Sequence, residues 1–240
     1  NAIWNDQNRF DTWKLIQEKY VETLEQLKIA EAGIAKKIRE AEVSKEEVYK
    51  QEEVTNHDLA SFVDILQKKV GEGSNWIHYG LTSSDIVDSA NSLLIIQSIE
   101  VAQELILNLL KELKLKAIKN KDTKIIGRTH GVYAEETFLG NIFGNWYLEI
   151  KRSLDRLERA KVSIAYGKLS GPVGNHTVVT EEMEKITLEK LGLKPEIFAS
   201  QIVSRDRYAE VFTSLSILAS TYERISTNLR SYQRSEISEM

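Results

Sequence analysis

Apolar residues recur at three- and four-residue spacing through most of the chain, which is the pattern of helices that bury one face. Phe10, Trp13, Tyr20, Leu24 and Leu27 mark an opening helix, with Gly33 in the turn after it. Short helices are predicted at about 45–53 and 57–70. Thr55 and Asp58 stand at capping-box spacing before the second, and Gly71 and Gly73 end it. A similar start signal, Thr82 or Ser83 leading to Asp85, opens a much longer run. Leu93, Ile96, Ile99, Leu105, Leu109, Leu113 and Ile118 sustain it. That predicts a helix of roughly 36 residues, about 54 Å long at 1.5 Å per residue. Another long pattern is predicted from Ala134 to about Ser163, through Phe138, Ile142, Trp146, Ile150, Leu154 and Leu157. Gly140 and Gly144 within it lower helix propensity but permit close backbone approach. The longest loop signal, 167–175, comes next, then a short helix at 181–191 ended by Gly192. A last helix from near Ser204 carries Tyr208, Phe212, Leu215, Leu218, Tyr222, Ile225 and Leu229, and the pattern continues to Met240.

No strand-rich region and no repeat is predicted, so the fold class is all-α. Two prolines, Pro172 and Pro195, leave long uninterrupted stretches. The three long helices carry more apolar face than small neighbours can cover, which points to an oligomer whose subunits share one core. A monomeric coiled-coil scaffold, or a non-catalytic oligomerisation module, is the alternative. The chain is expected to divide into an N-terminal helical domain, 1–81, and part of a long-helix bundle domain, 82–240.

A hydrophobic fraction of 42% and a charged fraction of 28% fit an ordinary globular chain. The net charge of −4, with no basic stripe, argues against nucleic acid or an anionic membrane surface as partner. Absence of cysteine excludes disulfide and thiolate chemistry and fits a cytoplasmic location. No segment is read as approaching a membrane-spanning helix, and the first residues do not resemble a signal peptide. A start without methionine and an end inside a helical pattern suggest a piece of a longer chain.

Three of the four histidines sit in polar clusters between the helical runs. His57 follows Thr55 and Asn56 at a helix start, where orphan backbone donors favour a neutral ring or a bound anion beside it, local capping being the alternative. His78 precedes a helix start rich in hydroxyls, Thr82, Ser83 and Ser84, which could hold an anion or simply cap the helix. In the run Gly127, Arg128, Thr129, His130, Gly131, a cation, a hydroxyl and a titratable ring lie together between glycines. An imidazole there suits general acid or base work near neutral pH. His176, in the glycine loop, could be surface only. The histidine spacing matches no compact metal-ligand motif, and the 167–174 glycines match no nucleotide-binding fingerprint.

Taken in order, the stretches from Trp4 to Trp13, Thr55 to Asp58, His78 to Asp85, Gly127 to Gly131, Tyr166 to Asn175 and Gln201 to Arg207 closely resemble the adenylosuccinate lyase family of the fumarase/aspartase superfamily. The resemblance implies a mostly α-helical homotetramer with active sites shared among subunits and no metal or organic cofactor. The reaction it implies is elimination of fumarate from adenylosuccinate, giving AMP, and from the succinylaminoimidazole carboxamide ribotide. By resemblance His130 matches the general acid and His57 its supporting histidine. Thr82, Ser83, Thr129 and Gln201 match contacts to the substrate carboxylates, and Arg9, Asn56, Asp58 and His78 match nucleotide or phosphate contacts. The family's base, a serine on a mobile loop, is expected just after Met240, and an Arg-Tyr pair ahead of Asn1, so these 240 residues alone are expected to be inactive. Tyr133 and Glu136 depart from the family's usual His-Ala-Glu-Pro. A related lyase such as argininosuccinate lyase is the nearest alternative.

Overall fold

In the computed structural model, which describes residues 2–240, the chain forms two compact units. The first comprises Asn1–Ser98 and Ile164–Arg205, the second Ile99–Ser163 and Asp206–Met240.

The first unit is built on α1 (Asp6–Gln26), α2 (Ile34–Glu40), α3 (Lys45–Thr55) and α4 (Asp58–Val70). A short 3-10 turn, Ser74–Trp76, follows, then α5 (Ser83–Lys119), which belongs to this unit through Ser98. Asn5 caps α1, its side chain accepting from the Asn8 N–H at 3.0 Å. Ser44 and Glu47 form a reciprocal capping box on α3. Of the periodic residues of α1, Phe10, Trp13, Tyr20 and Leu24 are buried as expected, with Ile16 and Val21 beside them, whereas Leu27 is the C-cap and only partly buried. Phe10, Trp13 and Phe62 pack with ring centroids 5.2–6.0 Å apart. Each such ring taken from water stabilises the unit by about 1.5–3 kcal/mol. A two-residue parallel pairing of β3 (Tyr166–Gly167) with β4 (Lys194–Pro195) brackets α7 (Glu181–Lys190), which reaches α1 through a Thr187–Thr23 hydroxyl bond of 3.0 Å.

The second unit holds the rest of α5, the antiparallel hairpin β1 (Lys124–Thr129) and β2 (Val132–Phe138), α6 (Leu139–Ile164) and α8 (Asp206–Tyr232). Gly140 allows the close approach expected of it: a Cβ there would lie 2.6 Å from the Ala117 carbonyl oxygen. Gly144 has open space instead. Glu149 on α6 bridges to Thr221 and Arg224 on α8.

Several expectations need correction. The helix predicted from Ala134 begins at Leu139; residues 132–138 pair as a strand because Gly127 and Gly131 permit the bulge and turn that fold this β-branched and aromatic segment back. A strand pair therefore exists within a predominantly helical chain. The Thr55 capping box does not form. Asn56 turns left-handed (φ 52°) and stops α3, so His57 becomes the N-cap of α4. The short helix α2 was not foreseen, and α8 ends at Tyr232 rather than continuing to Met240. Finally, α5 is long and apolar enough to cross a membrane by length and composition, although such a helix also serves soluble cores. Its interruptions between Ile86 and Glu100 are mostly uncharged Ser, Asn and Gln.

Candidate functional site

In the first unit, two turns meet at the start of α5. His57, extended after the left-handed Asn56, accepts the Ala60 N–H on its Nδ1 at 3.4 Å, and this cap aims its Nε2 at the Ser83 hydroxyl, 3.3 Å away. Asp58 Oδ1 lies 3.4 Å from the same Nδ1 and accepts the Leu59 N–H at 2.7 Å. His57 thus caps α4 with one ring nitrogen and meets Ser83 with the other. His57 and Asn56 are exposed.

Thr82 is positioned by Asp85, which accepts the Thr82 N–H at 2.8 Å, so the predicted start signal works as half a capping box. Asp85 is itself fully buried and bonded to the equally buried Lys168 ammonium. Its second oxygen also accepts the Gly171 N–H at 3.2 Å, and Lys168 Nζ donates to the Gly171 carbonyl at 3.0 Å. Burial raises the Asp85 carboxyl above its ordinary range, opposed by Lys168 and the two backbone donors. Gly80, left-handed at φ 70°, lies so close to Val178 that a Cβ would come within 2.4 Å of it. The glycine-rich loop is therefore strapped to the hydroxyl-rich turn by a buried charge pair and a bare backbone.

His78, also left-handed (φ 63°), is held from below by Gln17 of α1. Gln17 Oε1 accepts the His78 N–H at 3.0 Å while Gln17 Nε2 lies 2.9 Å from His78 Nδ1. Burial, and secondarily the charge of His57, lowers the His78 pKa to about 4. The neighbouring Tyr79 carbonyl accepts the Tyr20 hydroxyl at 2.8 Å.

Arg9 stands apart from this pair of turns. Its guanidinium lies over Phe10 and Trp13, 4.9 and 5.2 Å from the ring centroids, and lines a cleft of about 290 Å³ with Trp4, Asn5, Asn91 and Leu94. Gln201 is exposed on a segment pinned by buried Asp88, which accepts the Val203 N–H at 2.8 Å and pairs with Arg205 at 3.0 Å. His176 is more than surface: its Nδ1 donates to the Val179 carbonyl at 3.0 Å and its Nε2 lies 3.6 Å from buried Glu184. Burial raises the Glu184 pKa, while its other oxygen accepts the Leu169 N–H at 2.6 Å.

The second unit carries Thr129 and His130. The register pairs Thr129 with Val132, so His130 and Gly131 are the two turn residues, both at positive φ (55° and 78°). That is the geometry of a two-residue hairpin turn matched to strand twist. Both Thr129 and His130 are exposed at the tip. Arg128 points back, bonded to Glu239 at 2.6 Å and lying over the Tyr133 ring at 5.3 Å. Tyr133, which departs from the family pattern, thus packs against an arginine of its own hairpin.

The sequence reading missed Gln17, Lys168, Asp88 and Glu184. Gln17 left a signal, since a polar side chain interrupts the buried stripe of Trp13, Ile16, Tyr20 and Leu24. Among the described residues no group of three His, Asp or Glu side chains could hold a metal ion.

A family profile described as "Lyase" matches residues 4–240. The chain belongs to the lyase family. This lyase chain is 40% identical over 239 residues to adenylosuccinate lyase of Thermotoga maritima and 39% identical over 242 residues to that of Aquifex aeolicus, covering 99% of itself each time. It spans 56% and 55% of those relatives, little more than half their length. Among solved structures, a fumarate lyase from Mesorhizobium sp. BNC1 superposes with a TM-score of 0.92 at 20% identity, covering 98% of the lyase chain and 57% of that structure. At that identity the likeness speaks for the fold, which is mainly helical.

Proposed function

We propose that this chain supplies its part of an enzyme that eliminates fumarate from adenylosuccinate, yielding AMP, and from the succinylaminoimidazole carboxamide ribotide, in purine biosynthesis. The observation that carries this reading is His57 set against the hydroxyl-rich start of α5, in a chain whose long-range relatives bear the name adenylosuccinate lyase. The elimination requires three things. A base removes the proton from the carbon beside one succinyl carboxylate, donors hold the dianionic carbanion, and an acid protonates the nitrogen as the C–N bond breaks.

In this reading His130 is the acid, at a tip where its ring is open to a bound substrate, and His57 supports it. Thr82, Ser83, Thr129 and Gln201 hold the carboxylates, while Arg9, Asn56, Asp58 and His78 hold the nucleotide and its phosphate. The base lies on a segment beyond these 240 residues, and no metal or organic cofactor takes part. The working assembly is a cytoplasmic homotetramer with shared active sites, and it does not bind nucleic acid or membrane. Exposed apolar residues such as Leu105, Leu107, Ile118 and Phe212 support such burial between subunits. Residues 1–81 are assigned to its N-terminal helical domain and 82–240 to part of its central bundle. This division along the chain differs from the two compact units, in which 82–98 and 164–205 fall in the first.

The test is direct. A protein of full family length containing this chain, given adenylosuccinate, should release AMP and fumarate in equal amounts, and the 240 residues alone should not. Turnover of argininosuccinate with none of adenylosuccinate would overturn the reading in favour of a related lyase.

A further inference from the structure

We propose that Gln17 is a positioning residue that locks His78 as a neutral ring bearing its proton on Nε2, so that His78 meets the substrate as a fixed hydrogen-bond donor rather than as a cation; the substrate half of this rests on the function proposed above.

The assignment follows from hydrogen-bond polarity. The His78 backbone N–H can only donate, so the Gln17 atom 3.0 Å from it must be the amide oxygen. That fixes the direction of the amide, and the Gln17 NH₂ is then the group 2.9 Å from His78 Nδ1. An NH₂ can only donate, so Nδ1 accepts and has no proton. In a neutral imidazole the proton must then sit on Nε2. The reverse arrangement would set an amide NH₂ against the backbone N–H, donor against donor, so even with a proton on Nδ1 donating to the amide oxygen the backbone bond would be lost.

Gln17 has little freedom to do otherwise. It is fully buried in α1, on the same face as Trp13, Ile16 and Tyr20. The same bracket also holds the backbone of His78 in its left-handed conformation, at φ 63°. Tyr20, one turn further along α1, binds the Tyr79 carbonyl at 2.8 Å, so two adjacent residues of the turn are fastened to one rigid helix. Burial of the ring acts in the same direction, against a second proton. A neutral N–H donor recognises an anionic oxygen by direction, and it binds such a group without bringing a charge that must be desolvated.

With four histidines in the chain, selective ¹⁵N-histidine labelling resolves the tautomers by NMR, and His78→Asn assigns the His78 pair. Near neutral pH His78 should show an unprotonated Nδ1 and a protonated Nε2. A protonated Nδ1, alone or with Nε2, overturns the proposal, and this reading needs no variant at Gln17 to fold. Gln17→Glu keeps the acceptor for the backbone N–H but puts a second acceptor at Nδ1, so the proton should appear on Nδ1; an unchanged ring overturns the lock. In a protein of full family length, Gln17→Glu should raise KM for adenylosuccinate about tenfold or more with kcat within about threefold, as loss of a ground-state hydrogen bond to a charged group does. An unchanged KM rejects the positioning role. If the unaltered full-length protein does not turn over adenylosuccinate at all, the functional reading fails, and the ring measurement still decides the lock.

Discussion

The turn that carries His78 and the turn that carries His130 begin from similar sequence, each with a histidine close to a glycine and to hydroxyl residues, and each puts that histidine in the left-handed conformation at φ 63° and 55°. What surrounds them differs at almost every other point. His78 is bracketed by Gln17, its neighbour Tyr79 by Tyr20, Gly80 is pressed on Val178, and the helix that follows is tied down by the buried Asp85–Lys168 pair. His130 stands exposed on a two-residue turn, with open space around Gly131. The first turn is shaped by what packs under it and the second only by its own backbone. One is suited to holding a fixed part of a substrate, the other to presenting a ring that must exchange a proton. The comparison implies that substitutions in the first turn should be felt as stability, and those in the second as rate.

The largest effect should therefore come from His130→Ala in a protein of full family length. Loss of a general acid should lower kcat for adenylosuccinate by about 10²- to 10⁴-fold. Since the ring is exposed, the melting temperature should move little. A rate within about threefold of the unaltered enzyme would remove His130 from the proposed mechanism.

Lys168→Met should do the opposite. It leaves Asp85 buried and charged without its partner, and removing one side of such a pair costs about 3–5 kcal/mol. Chemical denaturation measures this directly. Asp85→Asn keeps acceptors for the Thr82 and Gly171 N–H groups while removing the charge. The double variant Lys168→Met/Asp85→Asn should therefore regain about half or more of the loss. Failure to recover would mean that Lys168 acts through its bond to the Gly171 carbonyl and not through the charge pair.

This buried strap marks the limit of what could be read from the sequence. Periodicity was enough to place the long helices, and in α1 it also named a buried face, Phe10, Trp13, Tyr20 and Leu24. In α5 it did not, since Leu105 and Ile118 of the predicted stripe are exposed while Ile86, Ile95 and Ile106, which lie off it, are buried. It failed at Ala134–Phe138, where alternation over a few residues competes with a helical spacing that continues on the far side of Leu139, and pairing with β1 decides the outcome. The clusters around His57, His78 and His130 were legible because histidines with hydroxyls and glycines are unusual between apolar runs. The contact of His57 with Ser83 was not, since it joins residues 26 apart through a cap made by the histidine itself. Lys168 and Glu184 looked like ordinary surface charges, and only the partners that long-range packing supplies make burial tolerable. Gln17 was visible as a polar interruption in an apolar stripe, but nothing local says that its partner lies 61 residues away.

A smaller effect should appear with pH. The His78 pKa falls from 6.5 to about 4 on folding, so between these values the unfolded chain binds more protons than the folded one. The contribution is fully present above about pH 6.5 and is lost as pH falls toward 4, about 3 kcal/mol over the window. Asp85 and Glu184, whose carboxyls are raised by burial, act with the opposite sign, since they are stabilising below their unfolded values and lose that as pH rises. The His78→Asn variant isolates the histidine: the difference in unfolding free energy between the two proteins should narrow from pH 7 to pH 4, and a constant difference would show that His78 does not titrate differently in the folded chain.

The finest separation of the two turns comes from one change made in each. Gly80→Ala and Gly131→Ala both put a Cβ on a residue at positive φ, 70° and 78°, and both should lose about 1 kcal/mol to backbone strain alone. At Gly131 nothing lies within 4 Å of the new atom, so the loss should stop there. At Gly80 the Cβ would meet Val178 Cγ1 at 2.4 Å and Val178 Cβ at 2.7 Å, too close for a small shift to relieve, which adds about 1–3 kcal/mol of overpacking. Val178→Ala removes the nearer of these atoms and should shrink the penalty of Gly80→Ala, while leaving that of Gly131→Ala unchanged. Equal losses at the two glycines, or a Gly80 penalty indifferent to Val178, would mean that the His78 turn is no more fixed by its surroundings than the His130 turn.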